Sequence, residues 1–200
     1  MKYLIFILLL AVSVSSCAQK QVYKWDEDKQ TFEAPAFNLK WDLSEFGDWR
    51  IADKEQLPSN MLFCGAVENI CVALMAVKNP GNVSINDGAE EFINGFLSTA
   101  IQESKVFPGL KRGATRYEKC HYLFKDAIRF GAIEMVKDAR QGTGKPVKFL
   151  YGGYVFEKDG MVFMPLVLLP FDLVETYGDS AMELFFQRFS YINASKELHK

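Results

Sequence analysis

Histidine is almost absent from this 200-residue chain, which has only His121 and His199. Imidazole is a common general base at neutral pH and the commonest metal ligand, so its scarcity narrows two kinds of chemistry together. His199 stands beside the C-terminus. His121 sits in a strand-like stretch next to Cys120, but adjacent strand residues point to opposite faces, so the two are not expected to act as base and nucleophile. Cysteine is scarce as well: Cys17, Cys64, Cys71 and Cys120. With His121 these show none of the tight ligand spacing of a tetrahedral zinc site, and neither a metal nor a cofactor is expected. An excess of positive charge is missing, with 23 Lys and Arg against 25 Asp and Glu, which argues against nucleic acid as a partner. The alternating Lys111-Arg112, Arg116 and Lys119 group gives at most a mildly basic, solvated face. There is no Gly-x-Ser-x-Gly elbow, and the segment QGTGKP at 141–146 lacks the spacing of a phosphate-binding loop. It is expected to join two strands. Asp126, Glu134, Glu157 and Glu175 are scattered, whereas paired-carboxylate chemistry needs two of them facing across a cleft.

Long apolar runs are missing too, except at the very start. Lys2 is followed by an apolar stretch from residue 3 to residue 14, broken only by Ser13. A helix needs about 20 residues to cross a hydrocarbon core, so this stretch is too short to span. A positive start, a short apolar run and then small residues are the marks of a cleavable secretion signal. The junction Val14-Ser15-Ser16-Cys17 resembles the lipobox of bacterial lipoproteins. The resemblance implies cleavage before Cys17, diacylglyceryl transfer to its sulfur and acylation of the new N-terminus. A single acyl chain holds a protein only marginally, while two or more give lasting attachment. Ala18 rather than Asp follows Cys17, which by the same resemblance implies the outer membrane. The expected organisation is a signal peptide over 1–16, a lipidated N-terminus and charged tether over 17–29, and one domain over 30–200.

What is abundant is phenylalanine, with 17 copies in a chain that is 14% aromatic. That supplies a core for a domain able to bury about 70% of its unfolded surface. Residues 31–43 alternate as a strand, and Gly47-Asp48 marks a turn before Trp49. The stretch MLFCGAVENICVALMAV at 61–77 is expected to be two strands about a turn at Val67-Glu68, which sets Cys64 opposite Cys71. An exported protein can keep disulfides, so this pair is either a bridge or two buried thiols, with Cys120 a core thiol. Asp87-Gly88-Ala89-Glu90 has capping-box spacing ahead of Phe92, Ile93, Phe96, Leu97, Ala100 and Ile101, so the pattern predicts an amphipathic helix to about Ser104.

Four strand-like stretches follow, at about 112–124, 126–137, 147–156 and 161–169. In the second, Ile128 and Phe130 differ in parity from Ile133 and Met135, and a bulge near Gly131 would gather all four on one face. Asp159-Gly160 between apolar runs is a strong two-residue hairpin signal that sets Phe156 opposite Phe163. Pro165 cannot donate to a ladder, so its strand is expected at an edge or bulged. Ser180-Ala181-Met182-Glu183 is a second capping box, opening a helix whose buried stripe is Met182, Phe185, Phe186, Phe189 and Ile192.

Strands grouped apart from helices predict an α+β fold, a curved and mainly antiparallel sheet with two packed amphipathic helices. The order of elements, the Gly47-Asp48-Trp49 segment and the closing Phe-rich helix resemble the PsbP-like fold over about residues 30–193. That resemblance implies a binding or assembly protein rather than an enzyme with a fixed catalytic set. The expected function is therefore a lipid-anchored, non-catalytic envelope module that binds an envelope protein or a small apolar ligand. The alternatives are an envelope hydrolase centred on carboxylates or on Cys120, and a carrier of lipids in an apolar pocket.

Overall fold

The computed structural model describes residues 23–57, 60–79, 111–112, 115–137, 146–178 and 180–196, together with 84, 85, 88, 90, 91, 93 and 94. Within these, two antiparallel sheets face each other. The smaller holds β1 (Lys24–Asp26), β2 (Thr31–Ala34), β3 (Leu39–Asp42) and β12 (Phe189–Tyr191), in the order β1-β2-β3-β12. The larger runs β4 (Arg50–Ile51), β5 (Met61–Val67), β6 (Ile70–Lys78), β11 (Met161–Pro170), β10 (Pro146–Lys158) and β9 (Lys125–Lys137). Both β7 (Lys111–Arg112) and β8 (Arg116–Tyr122) pair with β9. Helices α1 (Phe171–Tyr177) and α2 (Ser180–Gln187) close the chain before β12. The fold is α+β with mainly antiparallel sheet.

Alternation along the long strands serves two cores. Phe63, Leu74, Phe156, Phe163 and Ala127 point toward the small sheet and α2, where they meet Phe32, Trp41, Phe185, Phe186 and Phe189. The intervening residues Cys64, Cys71, Ala73, Met75, Ile128, Phe130, Val155 and Met164 pack on the other face, with Ile93. Ile93 belongs to a helical stretch that is already helical at Ile85, where the amide of Gly88 donates to the Ser84 carbonyl at 3.1 Å. The expected start at Asp87 is therefore late, and the remainder of that helix lies outside the described residues. One amphipathic segment thus covers each face of the large sheet, which is why its strands are apolar at successive positions.

That two-sided burial corrects several expectations. No bulge occurs at Gly131: β9 and β10 stay in one register from Pro146 opposite Lys137, through Gly152 opposite Gly131, to Phe156 opposite Ala127. Ile128 and Phe130 belong to one core, while Ile133, of opposite parity, is 42% exposed. Pro165 lies in the interior of the sheet, because β11 pairs with β6 on one side and β10 on the other. The β10–β11 ladder is instead interrupted between the Gly153–Leu166 and Phe156–Phe163 pairs, with no shift of register. Gly153 makes this possible, since a Cβ there would stand 2.2 Å from the Pro165 carbonyl oxygen. The turn between β5 and β6 is at Glu68-Asn69, so Cys64 lies opposite Ala73 and Cys71 opposite Ala66. The two cysteines are diagonal neighbours, with Sγ atoms 3.8 Å apart, as free thiols.

The ends differ as well. The sheet begins before residue 30: Lys24, Trp25 and Asp26 pair with β2, and the Trp25 ring stacks on Phe63 at 5.7 Å. The closing helix stops at Gln187, and Phe189 is buried as part of β12, opposite Trp41. Ile192 is 40% exposed rather than part of a helical stripe. Helix α1 has no counterpart in the apolar spacing of the sequence.

Candidate functional site

Side chains that carry chemistry gather where α2 crosses β8, β9 and β10. Glu118, Cys120 and Tyr122 share one parity of β8, and Arg129 and Tyr154 project from β9 and β10 toward the same helix. Arg129 lies 2.7 Å from Glu183 of α2 and 3.8 Å from Glu118. The Tyr154 hydroxyl donates to the Glu183 carboxylate at 2.9 Å. Tyr122 stacks on Tyr154 with ring centroids 4.1 Å apart, and its hydroxyl donates to the Phe186 carbonyl at 2.8 Å. Glu183, expected to cap its own helix, reaches across to the sheet.

The electrostatics follow from burial. Desolvation, then the hydrogen bond to Glu183, pushes the Tyr154 phenol far above its usual range. Burial does the same for Tyr122, aided by the charge of Glu183. Both phenols stay protonated at neutral pH and act as donors. The Cys120 thiol is likewise pushed up by burial and sits 3.6 Å from the Ala127 carbonyl oxygen, which makes it a poorer nucleophile than a free thiol. The cluster is a clasp: a charge-assisted link of helix to sheet, with its donors and acceptors turned on one another.

Other sequence-singled residues are placed elsewhere. His121 projects opposite Cys120 and lies 3.0 Å from Asp126, both strongly exposed. Glu157 accepts from the Asn79 side chain at 3.0 Å. Glu175 is exposed on α1, and Glu134 stands opposite Phe149 on β9. Arg116 and Lys119, three residues apart on β8, face opposite sides, so they form no common basic face. Cys71 has its thiol pushed well up by its hydrogen bond to Cys64 and by burial. Cys17 and segment 141–145 lie outside the described residues. Among the described residues, no group of three or more His, Cys, Asp or Glu side chains could hold a metal ion, and no helix is long and apolar enough to cross a membrane.

A second feature carries no chemistry but stands out. Tyr122 pairs with Lys125 across a two-residue turn, Leu123-Phe124, in which φ is 51° and 60°. Positive φ in non-glycine residues costs about 1–2 kcal/mol each. Leu123 packs on the core and its carbonyl accepts from the Tyr191 hydroxyl at 2.9 Å, whereas Phe124 is 67% exposed. Nothing in the residue types signalled this turn, and the Arg129–Glu183 link spans too much chain for any local pattern to reveal it.

No protein-family model and no curated protein matches the chain. Among solved structures, cyanobacterial PsbP (CyanoP) from Synechocystis sp. PCC 6803 superposes with a TM-score of 0.59 at 10% identity, covering 89% of this chain and 98% of that one. The fold is PsbP-like. LpqN of Mycobacterium tuberculosis, involved in cell envelope biogenesis, reaches a TM-score of 0.39 at 16% identity, over 72% of this chain and 78% of that one. The Ran-binding protein Mog1p of Saccharomyces cerevisiae reaches 0.42 at 6% identity, over 82% and 96%. At these identities the PsbP-like likeness speaks to fold, and activity has to be argued from the side chains.

Proposed function

We propose that the chain is a lipid-anchored envelope protein of the outer membrane whose domain works as a non-catalytic binding or assembly module. The observation that carries this reading is the cysteine at position 17, placed after a short apolar run and two small residues and only seven positions before β1. A sulfur at that one place serves acylation better than any role in the fold. The domain adds support through the state of its own groups: Tyr154, Tyr122 and Cys120 are held protonated and turned inward, as befits a clasp. Its partner is an envelope protein or a small apolar ligand.

Two measurements test the reading. Metabolic labelling with a palmitate analogue should mark the wild-type chain and leave Cys17→Ser unmarked and shed from the membrane fraction. Unchanged mobility and partitioning of Cys17→Ser would overturn the anchor. For the domain, a broad hydrolase panel should show no turnover; turnover abolished by Cys120→Ala or Glu183→Gln would replace the binding module with an enzyme.

A further inference from the structure

The register of the strands gives the domain two ends. The turns Leu123-Phe124 and Asp159-Gly160 lie at one, because Ala127 stands opposite Phe156 and Lys158 opposite Met161. The small sheet offers the start of β1 and the end of β12 to the same end. The Tyr191 hydroxyl reaches the Leu123 carbonyl at 2.9 Å, and Lys158 Nζ lies 5.9 Å from the Tyr191 ring centroid. Across that sheet Lys24 stands opposite Glu33, Glu33 opposite Lys40, and Lys40 opposite Ser190. Three strand spacings put the start of β1 about 15 Å from β12. The segment leading to Cys17 therefore meets the domain at the end that displays Phe124.

Only residues 18–23 separate Cys17 from β1. A chain reaches at most about 3.5 Å per residue, so they span about 20 Å. An acylated Cys17 would hold this end, and not the opposite one, against the bilayer. The surface there suits such a neighbour. Among the described residues the exposed large apolar side chains are Phe124 at 67%, Leu184 at 50%, Ile133 at 42% and Ile192 at 40%, and Phe124 and Ile192 lie at this end. Asp126 faces His121 and Asp159 faces Lys158, whereas Lys78, opposite Met161, is exposed. Lys125 directly follows Phe124. An apolar tip set among mixed charges, Lys78 and Lys125 with the exposed Asp126 and Asp159, fits the boundary between headgroups and acyl chains through its phenylalanine.

We infer that this end rests on the membrane holding the Cys17 lipid, with Phe124 inserted at the level of the upper acyl chains and Ile192 beside it. The inference rests on acylation of Cys17. It gives the domain one orientation, with the Glu68-Asn69 turn at the opposite end pointing away from the bilayer and toward partners.

The test uses the mature chain purified from its expression host and mixed with phosphatidylethanolamine/phosphatidylglycerol vesicles, as wild type and as Phe124→Trp. At an exposed site the exchange of one aromatic for another leaves the fold intact, which matching circular dichroism verifies. Vesicles whose acyl chains carry bromine should quench most of the emission that the variant adds to the three native tryptophans. If the protein floats with the vesicles but the added emission is unquenched, the orientation is wrong while the anchor stands. If neither chain floats with vesicles, the acylation reading falls and the inference falls with it.

Discussion

Two hairpin turns stand side by side at one end of this molecule, and they are built on opposite logics. Asp159-Gly160 and Leu123-Phe124 are both two-residue connections with positive φ at each position: 52° and 74° in the first, 51° and 60° in the second. Glycine adopts such angles freely and Asp tolerates them, whereas Leu and Phe do not. The first turn is thus specified by its own residues. The second is imposed from outside, by the packing of Leu123, the Tyr191 hydroxyl on its carbonyl and the stacked, hydrogen-bonded Tyr122 beside it. A backbone held against its preference by its surroundings is where a functional reason is worth seeking, and here it presents an exposed phenylalanine.

Emptying the core under the locally specified hairpin tests its independence most severely. Phe156 is fully buried, opposite Phe163, with their rings stacked at 5.7 Å. Phe156→Ala should cost about 3–5 kcal/mol, the range for emptying an aromatic site in a packed core. Urea unfolding followed by tryptophan fluorescence measures it. A loss under about 1 kcal/mol would mean that the hairpin stands on its turn alone and that the core beneath it is loose.

Next comes the clasp that holds β8 and β10 to α2. Tyr154→Phe leaves the stacking with Tyr122 but removes a hydrogen bond to a carboxylate, worth about 1.5–3 kcal/mol. The same change alters the alkaline limb of stability. An unfolded tyrosine loses its proton near pH 10, while in the fold burial and Glu183 hold the phenol higher. Above about pH 10 the native state therefore keeps a proton that the unfolded state has lost, and stability falls as pH rises through that window. Unfolding free energy should be level up to about pH 8 and then decline, less steeply above about pH 10 in Tyr154→Phe, with Tyr122, Tyr23 and the raised thiols of Cys71 and Cys120 supplying the remaining slope. Equal slopes in both proteins would remove Tyr154 from the account.

Which of these features could be read from the residues follows the same division. Asp159-Gly160 and the Phe156–Phe163 pair were legible because turn chemistry is local and pins the register that follows. The Cys64–Cys71 hairpin was placed two residues out of register, because Val67-Glu68 and Glu68-Asn69 are nearly equivalent candidates between two apolar strands. The bulge expected at Gly131 assumes that Ile133 shares the buried face of Ile128 and Phe130, whereas β9 and β10 keep one register and leave Ile133 exposed. The missing N–H of Pro165 points to an edge strand or a bulge, but Gly153 lets the neighbouring strand come close enough for Pro165 to remain inside the sheet. Phe189 continued the spacing of α2, yet it is a strand residue set by pairing with Trp41. The Arg129–Glu183–Tyr154 clasp joins three elements through tertiary contact, and no short window of sequence contains it.

The imposed turn can be sharpened more gently at its support. Tyr191→Phe removes the hydroxyl that satisfies the Leu123 carbonyl, while leaving the buried ring in place. The expected loss is about 1 kcal/mol, or about 2–4 °C in Tm for a chain of this size. Hydrogen exchange should locate it, with amides around 122–125 exchanging faster than those around 158–161. Uniform exchange at the two tips would show that the imposed turn needs no such support.

The smallest effect compares the turns residue for residue. Phe124→Gly relieves positive φ at a side chain that is mostly solvent-exposed, a gain of about 1–2 kcal/mol. It also frees the unfolded chain, which takes back about 0.4–1 kcal/mol, so the net is a gain of about 0.5 kcal/mol. Gly160→Ala should act in the other direction: a Cβ there meets nothing within 4 Å, but φ of 74° strains it, at a cost of about 1 kcal/mol. The signs matter more than the sizes. A chain that becomes more stable when Phe124 is removed carries that residue for something other than folding, and the membrane is where its loss should be felt. If Phe124→Gly destabilises instead, the phenylalanine is holding its own hairpin, and the contrast between the two turns disappears.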